Sequence, residues 1–366
     1  MKILYDHQAF SGSRYGGIAR YFHDLMETLS KMGEEVSLSI NFSNNEYLKE
    51  STVKKPWAYK YIFGFMPTSM LVSRTNRLTS IRAIQKGNFD VFHPTFFHTY
   101  HLKHIGNKPF VLTYHDLIKE RFNLGHLDNV SRENKQLLLD KASKVIAISE
   151  NTKQDLMEFY RISADKIDVV PHASTFKSMS PYVNSHLKLP EKYLLYLGTR
   201  NDYKNFDNLL QAIVPIFAKH KDFHLVCAGG GKFNEVEVQR LQALGLEKRV
   251  QQITFHADNT LFNLYQKATA FVYPSRYEGF GIPILEAFAC GCPIILSNTS
   301  CFPEVAQDAG WYFNPDSVAE MTARIEEVLL DKALQESLVK KGFLRQNDFS
   351  TQQTAQKTLD VYRSVL

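Results

Sequence analysis

Short apolar runs recur along this 366-residue chain, and most are followed by a stretch with helical spacing. The first run is Ile3–Tyr5. After it, Ile18, Tyr21, Phe22, Leu25 and Leu29 fall on one helical face, and Gly33 ends the pattern. Further runs are Val36–Ile40, Phe89–Phe92, Phe110–Tyr114, Lys144–Ile148 and Ile167–Val170. Ser149 and Asn151 are candidate starts for a helix ending near Tyr160. A second series comprises Tyr193–Leu197, Phe223–Ala228, Gln252–His256, Ala270–Tyr273 and Pro293–Leu296. Helical patterns at Phe206–Lys219, Glu235–Leu244, Leu261–Ala268 and Ile282–Ala289 separate these runs. Strands alternating with helices imply parallel sheets covered on both faces. Two such series in a chain too long for one core imply two doubly wound α/β domains. Pro171, His172 and the polar run to Pro190 read as the linker. The expected domains are 1–175 and 176–350, with a last helix at 351–366 capped by Ser350. In such sheets a ligand lies beyond the carboxyl ends of the strands, here expected in a cleft between the domains.

Composition excludes several classes. Apolar residues make up 44% and charged residues 22%, as in a globular protein, and the net charge of +5 is too small to argue for nucleic acid. The charge is uneven, however. From Ser51 to Phe89 there are seven Lys or Arg and no Asp or Glu, interleaved with aromatics. Lys54, Lys55, Trp57 and Lys60 are therefore candidates for contact with an anionic membrane or a lipid-borne acceptor. The alternative is a helical hairpin packing its aromatics on the first domain. Cys227, Cys290, Cys292 and Cys301 lack zinc spacing and fit reduced thiols of a cytosolic protein. The N-terminus lacks the apolar run of a signal peptide, and no window is long and apolar enough to span a bilayer.

The densest motif is YPSRYEGFGIPILEAFACGCP, Tyr273 to Pro293. Glu278 and Glu286 stand eight positions apart, with Gly279, Gly281 and Pro283 between them. Pro283 suits a first helical turn, so Gly279, Phe280 and Gly281 are expected at a helix N-terminus, where free amides and the dipole attract anions. Glu286, expected on that first turn, can accept from two vicinal hydroxyls, as an acid beside a helix-bound pyrophosphate reads a ribose. Glu278, in the loop, is expected to face hydroxyls of the group attached to the phosphates. The plain alternative is a capping acid and a solvated helix acid.

In GTRNDYKNF, Arg200 and Lys204 follow a strand end and suit a diphosphate. Gly16 and Gly17 follow the first strand and open a helix without the spacing of a dinucleotide motif. His115 ends the Phe110–Tyr114 run and is expected to face the same cleft. There is no Asp-x-Asp, so no metal site is expected on a diphosphate, and charge must be met by cations and helix amides.

With these motifs the chain resembles the retaining glycosyltransferases of family 4, which have the GT-B fold. The acid pair Glu278 and Glu286 is its sharpest mark, with GTRNDYKN, AGGG, VIAISENTKQDL and Gly16-Gly17 in support. YDHQAFSGSRYGGIARYF and YHDLI look most like bacterial mannosyltransferases of O-antigen and capsule assembly. The resemblance implies two Rossmann-like domains, an N-terminal acceptor domain and a C-terminal nucleotide-sugar domain, with the last helix crossing back to the first. It implies no cofactor and no metal, a nucleotide-diphosphate sugar as donor, and a glycan or lipid-linked glycan as acceptor. GDP-mannose is the expected donor and a UDP-hexose the alternative; a nucleotide-sugar epimerase or a non-catalytic binder would share the fold.

By position, the resemblance puts Arg200 and Lys204 on the donor diphosphate, Glu278 on the donor sugar and Glu286 on the ribose. The backbone of Gly279, Phe280, Gly281 and Ile282 would underlie sugar and phosphate, with Gly16 and Gly17 at the β-phosphate. His115 would lie near sugar and acceptor, and Phe255 and His256 would meet the nucleobase. One departure is Tyr203, where many members carry an arginine before the lysine. The cytoplasm, or the cytoplasmic face of the inner membrane, is the expected location.

Overall fold

The computed structural model describes residues 1–12, 14–62, 70–124, 130–173, 176, 188–255 and 258–366. The chain divides into two compact units, Met1–His172 with Thr351–Leu366, and Ala173–Ser350.

In the first unit the order is β1 (Lys2–Asp6), α1 (Gly17–Lys31), β2 (Glu35–Ser39), β3 (Phe42–Ser43), β4 (Lys60–Tyr61), α2 (Met70–Lys86) and β5 (Val91–His93). It continues with β6 (Val111–Tyr114), α3 (Ile118–Arg121), α4 (Arg132–Lys141), β7 (Lys144–Ala147), α5 (Glu150–Tyr160) and β8 (Ile167–Val169). Parallel ladders join β2-β1-β5 and β6-β7-β8, and a parallel bridge from Phe92 to Phe110 links the two. The chain therefore reverses its direction of winding between β1 and β5, the place where doubly wound sheets open a crevice. Ser149 caps α5, accepting from the Thr152 amide, as its sequence position suggested.

The second unit contains β9 (Lys192–Leu197), α6 (Phe206–Lys219), β10 (Phe223–Ala228), α7 (Glu235–Ala243), β11 (Val250–Ile253), α8 (Asp258–Lys267) and β12 (Ala270–Tyr273). Then come α9 (Ile282–Ala289), β13 (Ile294–Ser297), α10 (Phe302–Ala306), β14 (Gly310–Phe313), α11 (Val318–Leu330) and α12 (Lys332–Gln346). Its parallel sheet runs β11-β10-β9-β12-β13-β14, the doubly wound order with its reversal between β9 and β12. Leu209, Leu210, Ala212, Ile213, Ile216 and Phe217 on α6 are buried against this sheet. Fully burying each larger side chain contributes ~1.5–3 kcal/mol, which fixes the face α6 presents.

Two readings from the sequence need correction. β11 covers Val250–Ile253 and not 252–256, because the buried apolar positions of the ladder are Val250 and Ile253. His256 lies outside the described residues. The alternative of a helical hairpin in the basic stretch finds one helix among the described residues: up to Ile62 they are loop and the short β4, and from Met70 they form α2.

The last helix, α13 (Thr351–Arg363), packs on α1 within the first unit. Ala355, Leu359 and Tyr362 are buried there. The Tyr362 hydroxyl bonds the Tyr5 hydroxyl at 2.7 Å and His93 Nδ1 at 2.6 Å, and His93 Nε2 meets Thr113 Oγ1 at 2.9 Å. The helix is thus tied to β1, β5 and β6 by a buried polar chain as well as by apolar packing.

Candidate functional site

In the second unit, the loops after β9 and β12 lie side by side at the reversal point. β9 ends at Leu197, and Gly198 follows at φ +120°, a conformation L side chains avoid. A 3-10 turn, Asp202–Lys204, then leads through Asn205 (φ +59°) into α6. This turn brings Lys204 across to the β12 loop. Its Nζ lies 2.6 Å from Glu278 Oε1, and the side chains are only 14% and 11% exposed. The ammonium also lies 5.4 Å from the Tyr203 ring centre and 5.7 Å from that of Tyr273. Glu278 is fixed from behind: its amide donates to Ser300 Oγ at 3.0 Å, and that hydroxyl donates to the Glu278 carbonyl at 2.7 Å.

Gly281 is the N-cap of α9 at φ +86°, and Pro283 stands in the first turn. A Cβ on Gly281 would meet Ile284 Cδ1 at 3.0 Å and Phe302 Cε1 at 3.2 Å, so space and backbone both require glycine. Gly281 offers this helix no side-chain cap and no acid lies in its first turn, and the amides of such a start favour negative charge. Glu286 is on the second turn, not the first as expected, because the helix begins at Ile282. It is buried, and Tyr265 donates its hydroxyl to Glu286 Oε2 at 3.1 Å. Phe280 is buried too, with its ring edge-on to Phe349 at 5.7 Å, so this position offers only its backbone.

Arg200 has partners of its own. Its Nε donates to Glu237 Oε1 at 2.6 Å, and its Nη atoms reach the carbonyls of Gly229, Gly230, Gly231 and Lys232 at 3.1–3.3 Å. These bonds clamp the β10–α7 loop. A Cβ on Gly230 would lie 2.6 Å from the Gly198 carbonyl and 2.7 Å from Arg200 Nη1, so glycine there lets the two loops touch. Phe255 follows β11 near Gly229.

In the first unit, Gly16 is the extended N-cap of α1 and Gly17 opens it, with no side-chain cap and no acid in the first turn. Neither position lies in the left-handed region, so what glycine supplies here is bare backbone for close approach. His115 directly follows β6, its ring stacked on His172 at 5.5 Å and edge-on to Tyr21 at 5.1 Å. His115 Nε2 has no hydrogen-bond partner among the described residues. Burial lowers its pKa to about 4, so the imidazole is neutral near pH 7 and a weak base.

Among the membrane candidates, Trp57 is 99% exposed and Lys60 is exposed. Lys54 pairs with Glu35 at 3.3 Å, and Lys55 spends its ammonium on the carbonyls of Ser51 and Val53. No described helix is long and apolar enough to cross a membrane. All four cysteines are buried free thiols, their pKa values raised by burial.

The pairings Glu237–Arg200, Tyr265–Glu286 and Ser300–Glu278 were not anticipated from sequence. Each partner comes from a different element, and no local pattern marks it.

Comparison with known proteins places the chain in a family. Residues 183–345 match the family model of glycosyl transferases group 1, and residues 15–173 match that of glycosyltransferase family 4. The chain belongs to this glycosyltransferase family. O-antigen chain mannosyltransferase B of Escherichia coli is 30% identical over 237 residues, 62% of this chain and 61% of that protein. The serotype-specific mannosyltransferase WbdA of Escherichia coli is 30% identical over 278 residues, 70% of this chain and 33% of that one. The chain thus spans less than two thirds of either relative's length. Anabaena HepE, solved with UDP and glucose, superposes with a TM-score of 0.75 at 19% identity over 100% of both chains. The fold is GT-B, in line with the family's expected architecture.

Proposed function

We propose that the chain is a retaining, metal-independent hexosyltransferase. On this reading it moves mannose from GDP-mannose to a hydroxyl of a lipid-linked glycan in bacterial surface polysaccharide synthesis. The observation that carries the reading is the Lys204–Glu278 pair beside the uncapped start of α9, at the β9/β12 reversal. A cation, a helix N-terminus and two hydroxyl-accepting carboxylates match a sugar diphosphate of a nucleoside. Mannose is favoured by the names of the two mannosyltransferase relatives.

The bond from the sugar's C1 to the β-phosphate oxygen breaks, and the acceptor oxygen bonds C1 on the same face. The acceptor proton passes to the departing phosphate. Positive charge on the oxocarbenium-like sugar and negative charge on the phosphate build together. Lys204 and the α9 amides meet the phosphate charge, while Glu278 holds sugar hydroxyls and Glu286 the ribose. Tyr265 holds Glu286 in place from behind. The neutral His115 orients the reactants and is not the proton acceptor, since a pKa of about 4 makes it too weak a base.

A thermal-shift panel of GDP, UDP, GDP-mannose and UDP-hexoses tests the donor, because ligands of the folded state raise its apparent stability. GDP-mannose is expected to shift the melting temperature most, and transfer to give an α product from the α donor. A larger shift with a UDP-hexose reassigns the base and sugar, and an inverted product refutes retention. We further propose peripheral attachment at the cytoplasmic face of the inner membrane through the exposed Trp57 and Lys60. Flotation with anionic liposomes should weaken in Trp57→Ala with Lys60→Ala; unchanged flotation refutes this contact.

A further inference from the structure

A second histidine stands at the same end of the sheet as His115 and takes no part in the chemistry described so far. His115 follows β6, and His172 comes shortly after β8; β6, β7 and β8 are parallel neighbours, so both residues lie beyond carboxyl ends of strands. The chain between β8 and His172 is held from two sides. The Val170 amide donates to the Ala147 carbonyl at 2.9 Å, and Thr354 on α13 donates its hydroxyl to the Pro171 carbonyl at 2.8 Å. His172 is thereby brought to a buried position, 5% exposed, beside His115.

His172 Nε2 lies 3.4 Å from His115 Nδ1, and the two ring planes are within 14° of each other. A ring N–H of one can therefore point at the lone pair of the other. Tyr21 on α1 stands edge-on to both, its ring centre 4.6 Å from that of His172 and 5.1 Å from that of His115, and packs them in place. Burial holds both imidazoles neutral near pH 7: it puts His172 well below its ordinary pKa and His115 at about 4. A neutral imidazole has one N–H and one lone pair, and the bond made at one nitrogen decides what the other carries. Two arrangements satisfy the contact. His115 Nε2, buried and without a partner among the described residues, is an N–H in one and a bare lone pair in the other. The donor proposed above separates them. Beside a diphosphate, an N–H turned to the reactants is favourable and a lone pair is not.

We propose that His172 is a positioning residue of the transfer reaction: its Nε2–H donates to His115 Nδ1 and holds His115 in the tautomer whose Nε2–H donates to an oxygen of the reactants. The reactants rest on the glycosyltransferase reading; the bond between the two rings does not.

The test is two-bond proton–nitrogen correlation NMR of the full chain with labelled histidine nitrogens, free of ligand, with the His115 signals identified by their loss in His115→Asn. Beside it, turnover of GDP-mannose is read as GDP release. Wild-type His115 is expected to carry its proton on Nε2 alone. His172→Phe keeps a ring but loses the donor, so His115 should populate both tautomers, and kcat should fall about three- to tenfold with KM for the donor little changed, the usual worth of one neutral hydrogen bond. In His172→Gln the side-chain amide can donate from the place of Nε2, so the tautomer and most of kcat should return. A wild-type proton on Nδ1, or an unchanged tautomer in His172→Phe, overturns the proposal. So does an equal loss of kcat in both variants with His115 in the Nε2–H form throughout, which would mark His172 as packing only. The wild-type spectrum needs no substitution and decides the tautomer even if a variant fails to fold. If the wild type releases no GDP, the donor reading fails, while the spectra of wild type and His172→Phe still decide whether His172 sets His115.

Discussion

Lys204 can serve the reaction directly, on the phosphate, or only through Glu278, and the two roles separate in a double-mutant cycle. The substitution to make is Lys204→Met, because the thioether keeps a stem between the Tyr203 and Tyr273 rings while removing the charge. It leaves Glu278 without its cation at a site where that side chain is 11% exposed. Removing one partner of a fully buried pair costs ~3–5 kcal/mol, and the residual exposure reduces this to about 2 kcal/mol. A domain of this size moves by about 2–4 °C per kcal/mol, so the melting temperature should fall by about 4–8 °C. Glu278→Gln in the same chain removes the orphaned charge, and most of that loss should return.

Turnover should behave differently. A preorganised donor on a developing phosphate charge is worth ~3–4 kcal/mol, so Lys204→Met should lower kcat about 10²–10³-fold. If the lysine acts on the phosphate, it should cost nearly the same factor when introduced into Glu278→Gln. If it only orients Glu278, the second substitution costs nothing further. The assay is steady-state transfer with saturating donor, run beside thermal denaturation of the four proteins. Coupled stabilities with independent turnover costs support the phosphate role, and a turnover cost that vanishes in the Glu278→Gln background refutes it.

Acid should destabilise the first unit through its buried histidines. Burial lowers the pKa of His93 to about 3 and those of His101 and His115 to about 4, below the unfolded value of about 6.5. Their contribution is full above about pH 6.5 and is lost as pH falls toward 4, at up to ~1.4 kcal/mol per pH unit for each. His101 packs among the Phe92, Tyr100 and Phe110 rings, so His101→Phe should raise stability at pH 5 and flatten the pH profile; an unchanged slope by denaturant titration would exclude His101 from it. Tyr362→Phe strands two buried partners, Tyr5 and His93, and should cost about 2 kcal/mol by the same titration; a loss within error would show that α13 is held by apolar packing alone. Arg200→Lys keeps the charge but loses the fork on Glu237 and the loop carbonyls, so it should lower the melting temperature and raise KM for the donor more than it lowers kcat. A collapse of kcat at unchanged stability would return Arg200 to the phosphate.

Much of the fold was legible because it depends on local pattern. Strand runs, the α1, α6 and α9 faces, the Ser149 cap and the loop-to-helix junction at Gly281 each follow from neighbours in sequence. β14, α2, α4, α11 and α12 gave weaker signals: α12, for instance, carries Lys or Arg on several sides and buries only Leu338, Gly342 and Gln346. At the site, the residue types were readable and their pairings were not. Lys204 and Glu278 are 74 positions apart, and Arg200 and Glu237 are 37 apart. Only the strand order brings such positions together. Glu286 was misplaced by a turn for a smaller reason: the start of α9 is fixed by Gly281 in its left-handed conformation, and Pro283 alone does not determine it.

The divergence of Arg200 and Lys204 follows from the backbone between them. Asp202–Lys204 forms a tight turn and Asn205 reverses into the left-handed region, so side chains four positions apart leave the loop in different directions. Lys204 runs beneath Gly198, where a Cβ would approach its Nζ at 3.9 Å, and reaches the β12 side. Arg200 reaches the β10 side, where Gly229, Gly230 and Gly231 all have positive φ and turn their carbonyls to one cation. The two bases thus hold the two loops that flank β9, one by an ion pair and one by a clamp. On the reading proposed above, Lys204 beside the start of α9 can meet the charge of a departing phosphate only if its loop is held still. The clamp, the serine behind Glu278 and the tyrosine behind Glu286 supply that rigidity before any ligand arrives.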